Sequence, residues 1–289
     1  MKPGIYEKIP FSDYLKIDAF SKSMVGPILK SPKHLKYEQE QGVEPSAGMD
    51  FGSLVDCLLL EPAVFDSRFV ILPDTCQDAK GNTINFTRQA KDGKEIIARI
   101  IAVGRIPIGK PEVKRANNIV AEIKKHPTAA AILEGCKTQV TVIWTDPETG
   151  ILCKGRFDIF KPDRFADLKV TDNPHPGAFS KVAGNLKYHV QAAIYHDGFF
   201  CATEGAYPQE WKIPFSFIAA EAGPPHDVVT YDMQEESLDA GRVIYRDALQ
   251  KYADCKAVNQ WPGYSDFAEP LDIPQWLRHR ILFEGVNDE

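Results

Sequence analysis

Asp158 and the tripeptide Asp167-Leu168-Lys169 carry the residue types that divalent-cation chemistry on a phosphate needs. Hard cations such as Mg²⁺ and Mn²⁺ take oxygen ligands, commonly one or two carboxylates, a carbonyl and several waters. Asp158, Asp167 and the backbone carbonyl of Leu168 would supply that set. Such an ion acidifies a bound water and neutralises charge developing on a phosphate. Lys169 would orient or deprotonate that water, or stabilise the pentavalent transition state. Phosphodiester hydrolysis needs this combination. The tripeptide alone is weak evidence, since an Asp/Lys pair on a strand is ordinarily a cross-strand ion pair. The upstream Asp, set by a tight turn, carries the reading.

That turn is Lys161-Pro162-Asp163-Arg164, where Pro presets φ and Asp favours a bend. The flanking runs Ile151–Phe160 and Phe165–Val170 are rich in β-branched and aromatic residues and read as strands. With Pro162-Asp163 at the tip, Asp158 falls opposite Asp167, and Lys169 shares their face by alternation. Thr138–Trp144 reads as a third antiparallel strand, with Asp146–Gly150 as the turn into the hairpin; the register of Gln139 against Arg156–Asp158 stays open. After Val170 and a Pro-containing loop a helical pattern runs to Phe200, placing Tyr188, Gln191 and Tyr195 at i, i+3 and i+7 on one face. Read alone, the tyrosines are core residues and Gln191 a surface one. Met49–Glu61 is an apolar helix stopped by Pro62, with Asp56 between Val55 and Cys57. Buried there, a carboxylate must be paired, protonated or metal-bound; the plainer reading is a helix-edge Asp in water or beside an Arg.

Around these elements, Ser21–Lys30 and Ser31–Glu40 read as helices, the second with Ser31 as cap and Pro32 at its first position. Phe65–Pro73 reads as a short strand and residues 74–86 as an irregular polar segment. Arg88–Val103 and Pro111–Lys125 are amphipathic helices whose basic residues form a solvated face or, more sharply, a phosphate-tracking stripe. Lys212–Ala220 and Val228–Tyr231 read as a second strand pair and Glu235–Lys256 as a long helix. Trp261–Glu289 reads as a wrapping tail with a short helix near Trp276–Phe283.

Composition bounds the function. With 289 residues, 44% of them hydrophobic, the chain has enough apolar material for a real core. It shows no linker, low-complexity run or repeat, so residues 1–289 read as one domain. A net charge of −6 argues against an indiscriminately basic nucleic-acid binder but allows a local basic groove. The six cysteines form no CxxC and read as reduced core residues of a cytoplasmic protein. The N-terminus lacks an apolar leader and no run reaches membrane length, so no membrane association is expected.

Taken in order, these motifs resemble the PD-(D/E)xK nuclease superfamily, and closely its exodeoxyribonuclease VIII (RecE-type) branch of phages and prophages. The resemblance runs through Ser21-Lys22-Ser23, Lys30-Ser31-Pro32, Phe51-Gly52, Leu59-Leu60-Glu61-Pro62 and Thr149-Gly150. It continues through Arg156-Phe157-Asp158, Asp167-Leu168-Lys169, Gln191-Ala192-Ala193-Ile194-Tyr195, Glu221, Leu238 with Gly241-Arg242, and Trp261-Pro262-Gly263-Tyr264. It implies an α/β fold, a mixed central sheet flanked by helices, and a Mg²⁺-dependent (or Mn²⁺-dependent) exonuclease. Relatives digest linear double-stranded DNA from the 5′ end and leave a 3′ single strand for an annealing protein. They assemble as homo-oligomeric toroids, trimeric or tetrameric. By resemblance, Asp158 and Asp167 bind metal, Lys169 is catalytic, Gln191 and Tyr195 support the site and contact DNA, and Arg156 and Lys187 face DNA. Two positions depart from the pattern. Asp56 stands where relatives usually have a His, and could replace it as a ligand. Gln139 stands where relatives carry a Glu, a weaker neutral ligand through its amide oxygen.

Two other readings remain. One is a DNA-binding or assembly subunit of the same fold that has lost cleavage, which Gln139 favours. The other is a metal-dependent hydrolase of small phosphate esters.

Overall fold

A six-stranded mixed sheet separates two layers of helices in the computed structural model, which describes residues 1–42, 47–78, 80–208 and 210–284. The chain opens with β1 (Gly4–Tyr6), α1 (Phe11–Lys16), α2 (Lys22–Lys30), α3 (Pro32–Gln41) and α4 (Ala47–Leu60). A peripheral region follows with α5 (Phe65–Arg68), β2 (Phe69–Ile71), β3 (Thr75–Gln77), β4 (Thr83–Asn85), α6 (Lys91–Ala102), β5 (Ile106–Ile108), α7 (Lys110–Lys125) and α8 (Pro127–Leu133). Then come β6 (Lys137–Thr145), β7 (Leu152–Lys161), β8 (Arg164–Thr171), α9 (Pro176–Asn185) and α10 (Tyr188–Glu204). The chain closes with β9 (Phe215–Glu221), β10 (Val228–Asp232), α11 (Glu235–Val258) and α12 (Gln275–His279). Strand order in the large sheet is β1-β6-β7-β8-β9-β10. Within that sheet, among the described residues, β8 and β9 are the pair of strands that run parallel, joined by the α9–α10 crossover that a parallel connection requires.

Each sheet face buries its own core. Phe20, Val140, Trp144, Phe157 and Phe165 pack with α10 and α11 residues on one face. Leu54, Ile119, Ile132, Ile159 and Leu168 pack together on the other, drawing on α4, α7 and α8. Helix α10 is buried nearly all round, as an apolar helix between a sheet and a second helix must be. Helix α11 approaches it closely at Gly241, where a Cβ would stand 2.4 Å from the His189 carbonyl oxygen.

The expected helices at both ends, the central three strands and the second strand pair all form. Ser31 caps α3 as its sequence demands, accepting the His34 N–H at 3.3 Å. Three expectations need correction. Phe65–Arg68 is a helical turn, and only Phe69–Ile71 extends. The segment read as irregular holds the hairpin β3–β4, held at its tip by Asp78 accepting the Asn82 N–H at 2.8 Å. In the tail, Trp261 packs on Tyr252 and the Pro262 carbonyl accepts the Lys33 N–H at 3.0 Å, but from Tyr264 onward large apolar side chains stand exposed. The last five residues of that segment lie outside the described ones. Among the described residues all six cysteines are unpaired, and no helix is long and apolar enough to cross a membrane.

Candidate active site

The hairpin β7–β8 pairs as its turn requires, Lys161 with Arg164, Phe160 with Phe165 and Ile159 with Ala166. One step further the ladder stops, and Asp158 bridges the gap with its side chain, Oδ2 accepting the Leu168 N–H at 3.1 Å. A strand residue's N–H and C=O project to the same edge, so the Leu168 carbonyl also lies on the Asp158 side.

The ladder stops because two neighbouring strands switch facing there. Phe157 packs in the α10 core while Ile159, two residues on, packs in the α4 core. On β6, Val140 belongs to the α10 core while the Thr138 hydroxyl reaches the Leu60 carbonyl at the end of α4, at 3.0 Å. Regular alternation would keep each such pair on one face. Asp158 and Gln139 are the residues at the switch, and Gln139 adopts φ 54°, uncommon for a residue other than glycine. Thr138 pairs with Ile159 and Val140 with Phe157, so Gln139 stands beside Asp158. The sheet is thereby opened at one point. Both helix layers line the resulting cleft of about 490 Å³, α4 with Asp56 and α10 with Tyr188, Gln191 and Tyr195.

On the α10 side, Lys169 forms an ion pair with Asp167 and donates to Gln191 Oε1 at 3.2 Å. The Gln191 amide nitrogen donates in turn to Asp167 Oδ1. One amide thus fixes an acid and an ammonium together, and Gln191 is buried rather than a surface residue. The Lys169 ammonium also lies 4.7 Å from the Tyr188 ring centroid, a cation–π contact. Tyr195 packs against Phe157 in a tilted ring contact with centroids 4.7 Å apart, and its hydroxyl engages the Arg156 backbone. Gly155 makes room for that ring, since a Cβ there would stand 3.0 Å from it. Tyr195 is 8% exposed, with most of its ring in the core beneath the cleft.

On the α4 side, the Gln139 amide nitrogen donates to Asp56 Oδ2 at 3.1 Å and Oδ1 at 3.3 Å, and to Asp158 Oδ1 at 3.4 Å. Its amide oxygen accepts from Arg156 Nε at 2.6 Å. The expected Gln139 oxygen ligand is therefore turned away from the carboxylates. Arg156 also corrects expectation. It is 7% exposed, donates to the Ile9 carbonyl at 2.7 Å and pairs with Glu61 at 3.5 Å, so its guanidinium is used inside the protein. Lys187 is half-buried at the N-terminus of α10, in left-handed backbone with φ 58°. Near it, the Lys22 ammonium donates to the Leu186 carbonyl at 3.2 Å. Lys22 carried no signal in the sequence beyond its place in Ser21-Lys22-Ser23. Burial first, then repulsion from Lys169, bring its pKa down to about 8.

The charges are unbalanced. Burial pushes the Asp56 pKa up to about 7 against the pull of Arg68, with Asp167 and Glu61 adding repulsion. Burial and then Asp167 and Asp56 hold the Asp158 carboxyl well above its ordinary value. Burial disfavours the Lys169 cation, but Asp167 and Asp158 outweigh it and raise its pKa. Arg68 and Arg156, the other nearby cations, share Glu61.

A divalent cation fits this donor set. Buried Asp167 Oδ2 has the Lys169 ammonium as its partner, and Asp56 and Asp158 share the Gln139 amide between them, so the donors are carboxylate oxygens of the kind a hard cation takes. Among the described residues no three acidic, His or Cys side chains are already gathered as a cage. The ammonium lies against Asp167 and the amide between the other two acids, where a cation's charge would otherwise act.

Comparison with known proteins agrees with this architecture. No curated protein sequence matches the chain. A solved structure of a provisionally named exonuclease from Eubacterium rectale superposes with a TM-score of 0.58 at 15% identity, covering 97% of this chain and 100% of that one. At that identity the likeness is one of fold. The family model described as a PDDEXK-like domain of unknown function (DUF3799) matches residues 21–273. With its mixed sheet, flanking helices and Asp158/Asp167-Leu168-Lys169 constellation, the chain belongs to this PDDEXK-like family.

Proposed function

We propose that the chain is a divalent-cation-dependent nuclease of the RecE type that hydrolyses phosphodiester bonds in linear double-stranded DNA from its ends, 5′→3′. The observation that carries the reading is the Asp167–Lys169–Gln191 unit, held one step from Asp158 in a cleft that opens through the sheet. Asp158, Asp167 and the Leu168 carbonyl, with Asp56 from α4, would hold Mg²⁺ or Mn²⁺. When bound, the ion supplies Lewis acidity toward the phosphate and acidifies water. Gln191 keeps the Lys169 ammonium and the Asp167 carboxylate in fixed relation, so that the ammonium can hydrogen-bond the attacking water or the phosphate oxygens. Lys22 and Lys187 add positive charge near that side of the cleft, suited to the DNA backbone.

Assembly as a ring belongs to the same proposal. Phe267, Leu271, Trp276 and Phe283 are exposed after Tyr264, an apolar segment of the kind that subunit contacts cover. A second reading, a DNA-binding subunit without cleavage, draws on the Gln139 oxygen being turned from the carboxylates. Incubating the protein with linear and nicked circular duplex in Mg²⁺, Mn²⁺ or EDTA separates the two. Digestion of the linear form alone, abolished by EDTA, is expected. Binding without digestion in either metal favours the second reading, and cleavage of small phosphodiesters without DNA cleavage overturns both. End-labelled substrates decide the polarity.

A further inference from the structure

We propose that Gln139 is a positioning residue that holds Asp56 in place beside Asp158 to meet the cation and makes no bond to the ion itself. The inference rests on the metal reading of the site and concerns how its third carboxylate is held. Its basis is hydrogen-bond polarity. An arginine guanidinium can only donate in any state, and carboxylates ionised to hold a cation can only accept. Arg156 Nε lies 2.6 Å from one end of the Gln139 amide, while both Asp56 oxygens and Asp158 Oδ1 lie within 3.4 Å of the other. Only one orientation satisfies both ends: oxygen to Arg156, nitrogen to the acids. The reverse would set NH₂ against a guanidinium and an oxygen against two carboxylates.

Arg156 is itself fixed by the Ile9 carbonyl and Glu61, so the amide cannot turn without breaking a buried set of bonds. The backbone is committed to the same end. Gln139 holds a left-handed φ of 54° at the point where β6 switches facing, and such conformations persist where surrounding contacts over-determine them. Gln139 reaches both acids from that position. An Arg156–Gln139–Asp56 chain therefore fixes the α4 carboxylate relative to the one on β7. Groups that orient ligands in this way typically contribute about 10- to 100-fold to metal affinity.

A double-mutant cycle on Mn²⁺ affinity, read by calorimetric titration of the whole chain without DNA, tests this. Gln139→Met should weaken Mn²⁺ binding about tenfold in the wild-type background and less than about twofold in an Asp56→Ala background. Equal losses in both backgrounds, or none in either, overturn the inference and leave the metal reading standing. A wild-type protein that binds no Mn²⁺ overturns the metal reading and this inference together. Should a variant fail to fold or bind too weakly to measure, wild-type crystals soaked in Mn²⁺ decide the matter by anomalous scattering. Gln139 Oε1 on Arg156, with the ion on Asp56, supports the inference; Oε1 bonded to the ion overturns it.

Discussion

Asp146 and Asp197 are each 1% exposed, as buried as any acid described, yet they behave oppositely to the acids of the cleft. Burial opposes ionisation of Asp146, but hydrogen bonds from Tyr207 and Thr149 and the charge of Arg246 outweigh it, and its pKa falls below the ordinary value. Burial likewise opposes Asp197, and Arg242, His196 and Tyr245 outweigh it. Arg242 donates twice to Asp197, at 2.7 and 2.5 Å, and Arg246 donates to Asp146 at 2.5 Å. These arginines lie on α11 and fasten it to α10 and to the turn before β7. In the cleft, Asp56 and Asp158 share one neutral side-chain amide, to which Asp158 adds a backbone N–H, and their pKa values rise. Fully satisfied acids hold the fold together; the under-compensated ones are those to which the proposed function assigns a cation.

The contrast can be broken hardest at Lys169. Lys169→Gln should lower the rate of linear-duplex digestion about 10²- to 10⁴-fold while DNA binding persists, checked by single-turnover cleavage and by gel shift. Cleavage at the wild-type rate would remove Lys169 from the chemistry. Next in size, Arg246→Met leaves Asp146 buried without its cation and should cost about 3 kcal/mol of stability, read from urea denaturation. Its Mn²⁺ affinity should stay within about twofold of wild type, because that carboxylate is remote from the cleft in function. Asp56→Asn should act with the opposite sign, stabilising the metal-free protein by about 1 kcal/mol while weakening Mn²⁺ binding. A variant that merely loses stability would make Asp56 a structural acid like Asp197.

Acidity separates the two groups more gently. Asp56 has a folded pKa of about 7 against an ordinary 3.8, so between those values the folded protein binds more protons than the unfolded one. The metal-free protein should therefore gain stability as pH falls from about 8 toward 4. For Asp146 and Asp197 the folded pKa is depressed, so their stabilisation holds above the unfolded value and is lost only below about pH 4. Melting temperature against pH should rise and then fall on acidification, and Asp56→Asn should reduce the rise alone.

Much of this was legible in the sequence, and the exceptions have physical causes. The Pro162-Asp163 tip set the hairpin register correctly as far as Ile159 and Ala166, because a tight turn leaves little choice of pairing. The expected Asp158–Asp167 pair falls where the ladder has ended, and Asp158 meets the Leu168 N–H instead. Tyr188, Gln191 and Tyr195 share one helix and line one cleft, as their spacing implied. Gln139 and Arg156 took their expected roles from resemblance alone; the partners they find depend on the point where β6 and β7 switch facing, and no residue type announces that switch. The three-residue strands β1, β3, β4 and β5 are too short for any periodicity to register. The Asp56 contact with Gln139 joins residues from separate elements, which only the folded chain brings together.

The claim that the cleft is built for a cation is tested most directly by melting the EDTA-treated protein at pH 7.5 with increasing Mn²⁺. A saturable rise in melting temperature is expected, as for any ligand that binds the folded state alone. It should vanish in Asp158→Asn and persist in Arg246→Met. A melting temperature indifferent to Mn²⁺ in the wild-type protein would contradict the account.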